Sequence, residues 1–332
     1  MEKKIISVVA GGDSSEHGVS MRSASGISSW LDKDKYTVYT IELHKDVWHA
    51  HLSDGSMTEV DRGTFTFVDH GKTIRPDFAY ITVHGTPGED GILQGYFELM
   101  GIPYSTCNVL VSALTFNKFS LNQYLKGFGV KIADSILVRK GMPVDGQSIA
   151  NELGLPCFVK PNGAGSSFGV SKCKSAADIL PAIEKAHEEC DEVLIESLLE
   201  GMEVSNGVYR KKDGSINVLP ITEVVSHNEY FDFDAKYNGQ VEEITPARLS
   251  DETTRRVQSL TSHIYDILGA KGIIRVDYFI SKKQNNDGSE VDVITLLEIN
   301  GTPGMTPTSF IPQQAAAAGL EMKDILNEVI NI

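Results

Sequence analysis

The sequence predicts a mixed α/β and α+β protein, and two stretches indicate this class. Near the start, an apolar run at 5–10 leads into a glycine turn and then into a segment with apolar residues at helical spacing. An open α/β sheet begins in this order. Near the end, two apolar runs at 272–281 and 291–300 flank a polar loop at 282–290. That pattern is typical of two neighbouring antiparallel strands.

Length and composition limit the class of protein. The 332 residues leave room for two or three domains. A formal net charge of −15 argues against a general nucleic-acid binder. The four cysteines show no metal-ligand spacing, and no apolar run is long enough to span a bilayer. We therefore expect a cytoplasmic protein with reduced thiols that binds neither nucleic acid nor membrane.

The two predicted strands near the end carry an oxygen-rich set of side chains. Residues two apart share a strand face, so Arg275 lies beside Asp277 and Glu298 beside Asn300. Two carboxylates and an amide suit Mg²⁺ that is held together with a substrate phosphate. The alternative is a solvated strand face, which apolar neighbours such as Val276 disfavour.

Two lysines indicate an anionic ligand. Lys118 falls within an apolar stripe that predicts one helix over 111–125, and a buried ammonium needs an anion unless the lysine snorkels. Lys160 ends a short strand at 155–160 and precedes a loop rich in Gly and Ser at 162–169. Such a loop either wraps phosphate oxygens or is a flexible hairpin turn. It is not a Walker A loop, because no Gly-Lys-Ser/Thr follows.

Polar residues near the ends of the early strands are open to two interpretations. Glu16, after the first glycine turn, either caps a helix or binds a ligand. His84 ends a predicted strand at 77–84, and its role is either structural or functional. The histidines at 44, 49 and 51 are expected to be exposed rather than bound to a metal.

Two later segments indicate ligand contacts and a lid. Glu203 follows a buried strand at 192–197 and suits the hydroxyls of a ribose. The stretch 226–250 has no clean period, which is typical of a lid, and Lys236 and Tyr237 are its candidate contacts. A terminal helix is expected over 313–332.

Seven motifs follow one another along the chain: GGDSSEHGVS, HGTPGEDGILQG, KPNGAGSSFGVSK, EVLIESLLEGMEV, FDFDAKY, RVDYF and LEINGTPGMTPTS. In this order they resemble the D-alanine–D-alanine ligase family of the ATP-grasp superfamily, over essentially the whole chain. The resemblance implies an N-terminal open α/β domain at 1–106, which holds the first D-alanine. It also implies two ATP-grasp subdomains, a central one at 107–199 and a C-terminal one at 200–332 with the lid and the metal site.

The resemblance implies a reaction and its cofactors. Two D-alanines are joined to D-alanyl-D-alanine through a D-alanyl phosphate, with release of ADP and phosphate, for peptidoglycan synthesis. ATP is a substrate, two Mg²⁺ or Mn²⁺ ions take part, and the protein is a homodimer.

The resemblance also implies roles for particular residues. Glu16 and His84 receive the first D-alanine, and Lys236 and Ser309 the second. Arg275 and the N–H of Gly304 form the oxyanion site. Ser166 and Tyr237 link to Glu16 when the lid closes. The residues implied to contact ATP are Lys118, Lys160, Ser167, Glu196, Leu199 and Glu203, and those implied to bind metal are Asp277, Glu298 and Asn300.

Three residues depart from the family pattern. Gly18 stands where an acidic residue is frequent, and Ser197 and Leu198 stand where a lysine and an aromatic residue are frequent. The first departure affects the Glu16 loop, and the other two change one wall of the adenine site. Tyr237 favours the dipeptide, because relatives that make D-alanyl-D-lactate usually carry another residue in the lid.

Two alternatives stay open at this point. One is another ATP-grasp ligase, of the D-lactate or D-serine type. The other is a catalytically silent nucleotide-binding protein that uses ATP to switch partners. The oxyanion arginine, Arg275, argues against the silent protein, because a binder does not need it.

Overall fold

A computed structural model describes residues 3–163, 169–226, 241–285 and 287–331. The described residues form three sheets of four or five strands, a two-stranded hairpin and the helices around them. Among these residues, no helix is both long and apolar enough to cross a membrane. The mixed fold class predicted from the sequence is confirmed.

The first sheet is mixed and has the order β4–β3–β2–β1–β7. β1 pairs in parallel with β2 and with β7, and β3 and β4 extend the sheet in antiparallel fashion. Alternate residues of β1 enter two different cores, which explains its continuous apolar run. The elements are β1 (Lys4–Gly11), α1 (His17–Trp30), β2 (Tyr36–His44), β3 (Val47–His51), β4 (Met57–Glu59), the hairpin β5 (Phe67–Asp69) and β6 (Lys72–Ile74), β7 (Phe78–Ile81) and α2 (Ile92–Met100).

The second sheet is antiparallel, with the order β10–β9–β11–β8. Apolar residues of its strands and of helices α5 and α6 share one core. The elements are α3 (Val109–Phe116), α4 (Lys118–Lys126), β8 (Ser135–Arg139), α5 (Gly146–Leu153), β9 (Cys157–Pro161), β10 (Ser171–Cys173), α6 (Ala176–Ala186) and β11 (Glu192–Ser197).

The third sheet is also antiparallel, with the order β14–β13–β12–β15–β16. The helix α7 packs on it through Val257, Ile264 and Tyr265. The elements are β12 (Met202–Arg210), β13 (Ile216–Ser226), β14 (Val241–Ile244), α7 (Asp251–Ile267), β15 (Ile273–Gln284), β16 (Glu290–Asn300), α8 (Phe310–Ala317) and α9 (Met322–Ile330).

The single helix expected over 111–125 is wrong, because Asn117 separates α3 from α4. Asn117 has extended backbone angles, and its side chain accepts a hydrogen bond from the N–H of Ser120. An asparagine in this geometry starts a new helix instead of continuing the old one. Lys118 is therefore the first residue of α4.

Other boundaries also differ from the sequence-based expectations. The terminal helix expected over 313–332 is two helices, which separate near Gly319, a glycine with φ of 69°. The polar residues 282–284 belong to β15, so the loop before β16 is shorter than expected. β7 ends at Ile81, which leaves His84 beyond the strand. Part of the expected lid is strand β14, and residues 227–240 lie outside the described residues.

Candidate active site

One cleft of about 1420 Å³ is lined by residues of the second and third sheets, of α1 and α4, and of the loops next to the first sheet. Every described residue for which the sequence implied a role lines it. These residues are Glu16, His84, Lys118, Lys160, Glu196, Leu199, Glu203, Arg275, Asp277, Glu298, Asn300, Gly304 and Ser309. Four further candidates, Ser166, Ser167, Lys236 and Tyr237, lie outside the described residues.

The pairing of β15 with β16 assembles an arginine–carboxylate group. Asp277 lies opposite Glu298, and Arg275 lies opposite Asn300. The guanidinium of Arg275 donates to Asp277, from Nη2 at 2.7 Å and from Nε at 3.0 Å. Although burial opposes the charge of Arg275, the neighbouring Asp277 raises its pKa. This part of the site is therefore held in place by strand register and a bidentate ion pair.

Two further contacts orient this group. Ser205, on β12, donates a hydrogen bond of 2.6 Å to Oδ1 of Asp277, and Nδ2 of Asn300 donates one of 3.1 Å to Oδ2. The guanidinium carbon of Arg275 lies 5.1 Å from the ring centre of Phe310, the first residue of α8. The guanidinium is thus fixed on one side by a carboxylate and on another by an aromatic ring.

The donor set on these strands fits Mg²⁺. Mg²⁺ is usually bound by one or two carboxylates together with the phosphates of a substrate. Asp277 and Glu298 would supply the carboxylates, and Asn300 would supply an amide oxygen. Among the described residues, no group of three His, Cys, Asp or Glu side chains is placed to hold a metal ion. In the predicted set, phosphate oxygens of a substrate would complete the coordination.

A lysine group forms another wall of the cleft. The ammonium of Lys160, on β9, contacts the carboxylate of Glu196, on β11, and their side chains are 12% and 9% exposed. Asn122, on α4, donates to the other oxygen of Glu196 at 3.2 Å. Burial lowers the pKa of Lys118. Glu196, for which the sequence implied an adenine contact, is therefore a partner of Lys160 in this structure.

The start of α4 is tied to the start of the glycine-rich loop. The N–H of Lys118 donates to the backbone carbonyl of Asn162 at 3.2 Å, and the N–H of Phe119 donates to its side chain at 2.8 Å. These bonds place Lys118 beside the strand that carries Lys160. Lys172, on the neighbouring strand β10, also lines the cleft and was missed by sequence reasoning. Its position inside the KPNGAGSSFGVSK motif was the available signal.

The N-terminal wall carries Glu16, His84 and Glu89. Glu16 directly precedes α1, and its side chain makes no capping hydrogen bond. The geometry therefore gives no support to the capping interpretation. His84 is buried, and its Nε2 has no hydrogen-bond partner among the described residues. Burial raises the pKa of Glu89, which accepts hydrogen bonds from the N–H groups of Gly85 at 2.8 Å and Thr302 at 3.3 Å. Sequence reasoning missed Glu89, although it lies five residues after His84 in the HGTPGEDGILQG motif.

The loop between β16 and α8 carries Gly304 and Ser309 against the N-terminal wall. The N–H of Met305 donates to Oγ of Ser23, on α1, at 3.1 Å. A side chain at Gly304 would meet Oγ of Ser309 at 3.0 Å, and one at Gly26 would meet the carbonyl of Met305 at 2.4 Å. The loop and α1 therefore pack too closely for larger residues at these points.

Comparison with known proteins identifies the family. The family described as "D-ala D-ala ligase N-terminus" matches residues 5–107, and "D-ala D-ala ligase C-terminus" matches residues 124–331. The chain belongs to the D-alanine–D-alanine ligase family. A D-alanine–D-alanine ligase of Phocaeicola vulgatus is 57% identical over 328 residues, which cover 99% of this chain and 98% of that protein.

Solved structures of D-alanine–D-alanine ligases and of a related ligase share the fold. The Bacillus anthracis ligase complexed with ATP has a TM-score of 0.76 at 28% identity, covering 98% of this chain and 96% of that one. The VanG D-Ala:D-Ser ligase of Enterococcus faecalis has a TM-score of 0.82 at 29% identity, covering 99% of both chains. This member of the D-alanine–D-alanine ligase family therefore has the ATP-grasp fold together with an N-terminal domain built on the first sheet.

Two of the three departures from the family pattern line the cleft. Ser197 and Leu198 follow Glu196 at the end of β11, beside Leu199. Gly18 lies in the first turn of α1, where an added side chain would meet the guanidinium of Arg22 at 3.6 Å. Gly18, Ser197 and Leu198 take no part in the hydrogen bonds described above for the arginine–carboxylate group.

Proposed function

We propose that the protein joins two D-alanines to D-alanyl-D-alanine at the expense of ATP, through a D-alanyl phosphate, for peptidoglycan synthesis. One observation supports this function most directly. A single cleft brings together two lysines, an arginine paired to a carboxylate, and Glu16 at the start of α1. A ligase needs such a combination, because it must bind a phosphate, an amino acid and a developing oxyanion at the same time.

The first step is phosphorylation of the first D-alanine. Glu16 binds its ammonium, and His84 lies on the same wall of the cleft. A carboxylate oxygen of D-alanine attacks the γ-phosphorus of ATP, and ADP leaves. Lys118 and Lys160 hold the phosphates and offset their charge, mainly through position. Bound at Asp277, Glu298 and Asn300, Mg²⁺ would supply further charge neutralisation for the phosphoryl group.

The second step is attack on the acyl phosphate. The amine of the second D-alanine, once deprotonated, attacks the carbonyl carbon, and inorganic phosphate leaves. Arg275 and the N–H of Gly304 stabilise the tetrahedral oxyanion. Ser309 and Lys236 bind the carboxylate of the second D-alanine. Closure of the lid, to which Ser166 and Tyr237 contribute, keeps water from the acyl phosphate.

The remaining ATP contacts and the division into domains form part of the same proposal. Glu203, Leu199 and Glu196 border the ribose and adenine, and Ser167 contributes to phosphate binding. The domains are the regions 1–106, 107–199 and 200–332. This division is supported by the three sheets, because each draws its strands from only one of these regions.

The protein acts in the cytoplasm as a homodimer under this proposal. Helices α2 and α3 present large apolar side chains to solvent, and these support a contact between two copies. Ile92 is 59% exposed, Leu99 is 87% exposed and Leu110 is 73% exposed. Such residues suit the centre of an interface.

The test measures phosphate release from the purified protein with ATP and Mg²⁺, and identifies the product by mass. D-alanine is supplied alone and then together with D-lactate or D-serine. We expect one phosphate for each D-alanyl-D-alanine formed. A mixed product would keep the mechanism but overturn the preference assigned to Tyr237. Absence of D-alanine-dependent ADP would contradict the ligase and favour the silent nucleotide-binding protein.

A further inference from the structure

The loop that carries Glu16 is held by side chains from the neighbouring strands. His17, the first residue of α1, contacts two groups outside its helix. Its Nδ1 lies 2.8 Å from the carbonyl oxygen of Gly12, and its Nε2 lies 3.1 Å from Oε1 of Glu42, on β2. His51, on β3, lies 2.7 Å from the other oxygen of Glu42. Glu42 therefore links β3 through β2 to the residue that follows Glu16.

Both partners of His17 are hydrogen-bond acceptors. The carbonyl of Gly12 offers its oxygen to one ring nitrogen, and the carboxylate of Glu42 offers an oxygen to the other. Burial opposes the charge of Glu42, but its hydrogen bonds with His51 and His17 lower its pKa overall. The contact between His17 and Glu42 therefore involves a carboxylate whose charged form is favoured.

His17 is one of the residues that hold the second end of the loop. Its first end is fixed by the backbone, because the N–H of Gly12 donates to the carbonyl of Leu43 at 2.8 Å. At the second end, Glu16 makes no capping hydrogen bond, and Gly18 offers no side chain. Other hydrogen bonds also hold this end, because the N–H of His17 donates to the carbonyl of Ser14 at 3.1 Å, and Oγ of Ser20 accepts from Gly11 at 2.8 Å and donates to Thr82 at 2.7 Å. The ring of His17 adds a link across the loop from Gly12 to Glu42, on β2.

The other charged groups near His17 are more exposed. The ring of His44 meets that of His17 edge to face, with centres 5.9 Å apart, and its Nδ1 lies 3.7 Å from Asp13. The side chains of His44 and Asp13 are 62% and 55% exposed, compared with 32% for His17 and 26% for Glu42. Exposed pairs of this kind contribute little. The contacts with Glu42 and with the carbonyl of Gly12 are therefore the ones that hold the ring.

We propose that His17, held by Glu42 and His51, is a positioning residue for the first-substrate site and directs the carboxylate of Glu16 at the substrate's ammonium. The inference rests on the proposed function, which assigns that ammonium to Glu16. Neither His17, Glu42 nor His51 lines the cleft. Their effect therefore passes through Glu16 and is confined to binding of the first D-alanine.

The experiment isolates the first site by replacing the second substrate. Hydroxylamine attacks the carbonyl of D-alanyl phosphate, phosphate leaves, and D-alanyl hydroxamate forms. With ATP, Mg²⁺ and excess hydroxylamine, the D-alanine concentration that gives half the maximal rate reports the first site. The variants are His17→Ala and Glu42→Gln, and the KM for ATP is measured in parallel. Thermal unfolding monitors whether each variant is folded.

A control removes another histidine–carboxylate contact, in the β5–β6 hairpin of the N-terminal region. His70 lies 2.6 Å from Asp69 and 3.4 Å from Asp54, far along the chain from the Glu16 loop. His70→Ala therefore deletes a histidine–carboxylate contact without touching that loop. We expect it to leave the half-saturating D-alanine concentration unchanged.

We expect His17→Ala to raise the half-saturating D-alanine concentration about tenfold, because it removes two hydrogen bonds, one of them charge-assisted. We expect about threefold for Glu42→Gln, which keeps the shape but loses the charge. The maximal rate and the KM for ATP should match those of the control.

Three outcomes would contradict these expectations. Unchanged half-saturation in both variants would overturn the positioning role. An equal rise in the KM for ATP would also overturn it, because it would indicate general damage to the cleft. If His17→Ala does not fold, Glu42→Gln decides alone. Failure of the unaltered protein to form any hydroxamate would instead overturn the proposed function, and this inference with it.

Discussion

The two charged groups that face the cleft are built in different ways. The arginine–carboxylate group comes from two adjacent strands, where the register sets its residues opposite each other. The lysine group comes from α4, β9 and β11, and its side chains come together only because the helix packs against the sheet. The members of the first are Arg275, Asp277, Glu298 and Asn300, and those of the second are Lys118, Lys160 and Glu196.

Because the two groups are assembled differently, we expect substitutions in them to affect activity and stability differently. In the first group, neighbouring backbone hydrogen bonds hold the strands whether or not one side chain is altered. In the second, Lys160 and Glu196 are mostly buried and neutralise each other. Removing one partner of such a pair leaves a buried charge without compensation. We therefore expect loss of activity with retained stability in the first group, and coupled effects in the second.

The largest effect is expected for Glu298→Ala. Loss of a carboxylate that is proposed to hold the metal should lower kcat at least about 10³-fold, which corresponds to several kcal/mol of transition-state stabilisation. The free energy of unfolding should change little, because β15 and β16 keep their backbone pairing. The control is Glu290→Ala, at the exposed far end of the same strand. Full activity of Glu298→Ala would remove this residue from the metal site.

A smaller but substantial effect on stability is expected for Gly272→Ala. Gly272 has φ of 68°, and an added Cβ would lie 1.9 Å from the carbonyl oxygen of Ser105. Because this contact joins the start of β15 to the segment after β7, the free energy of unfolding should fall by about 3 kcal/mol or more. Gly269→Ala is the control, since it has φ of 60° but open space around it.

The control should lose only about 1 kcal/mol, from backbone strain alone. Denaturant unfolding of both variants measures the difference. Equal losses of unfolding free energy would show that the close approach of Gly272 to Ser105 does not restrict the junction between β15 and the segment after β7. The position of the arginine–carboxylate group would then depend on the third sheet alone.

The smallest effect is expected on ATP binding by Lys160→Met. Loss of one ammonium–phosphate contact should raise the Kd for ATP about 10- to 30-fold, by calorimetry. The variant should also be destabilised, because Glu196 then lacks its ion-pair partner. Lys140→Met removes a lysine that is 63% exposed and serves as the control.

A double variant sharpens this prediction. Lys160→Met combined with Glu196→Gln should recover most of the lost stability without recovering ATP affinity. Recovery of affinity as well would mean that Lys160 acts only by neutralising Glu196.

Much of the fold could be predicted because its signals are local. The buried run of β1 and the alternation in β15 are properties of a few consecutive residues, and both strands formed as predicted. The break between α3 and α4 was missed because the apolar stripe continues in phase across Asn117. Only the cap at Asn117, with the contact of α4 to Asn162, shows that two helices are present.

In the candidate site too, the residues marked by local motifs were predicted, and a residue defined by distant contacts was missed. Motifs indicated which residues to consider, and the structure brings every described one to a single cleft, although their individual roles remain predictions. Glu89 was not recognised, because its importance comes from hydrogen bonds to Gly85 and to Thr302, which lies 213 residues away along the chain. A contact at such a separation leaves no periodic pattern in the sequence.

The sequence by itself determined the class of fold, the family resemblance and the pairing of Asp277 with Arg275, since strand periodicity and short motifs are encoded within a few residues. The tertiary structure alone decided that Lys160 is paired with Glu196, that Glu89 joins two distant loops, and that His17 is held by Glu42. Each of these depends on how separate elements pack. Packing follows from the shape of the whole core, which no local pattern specifies.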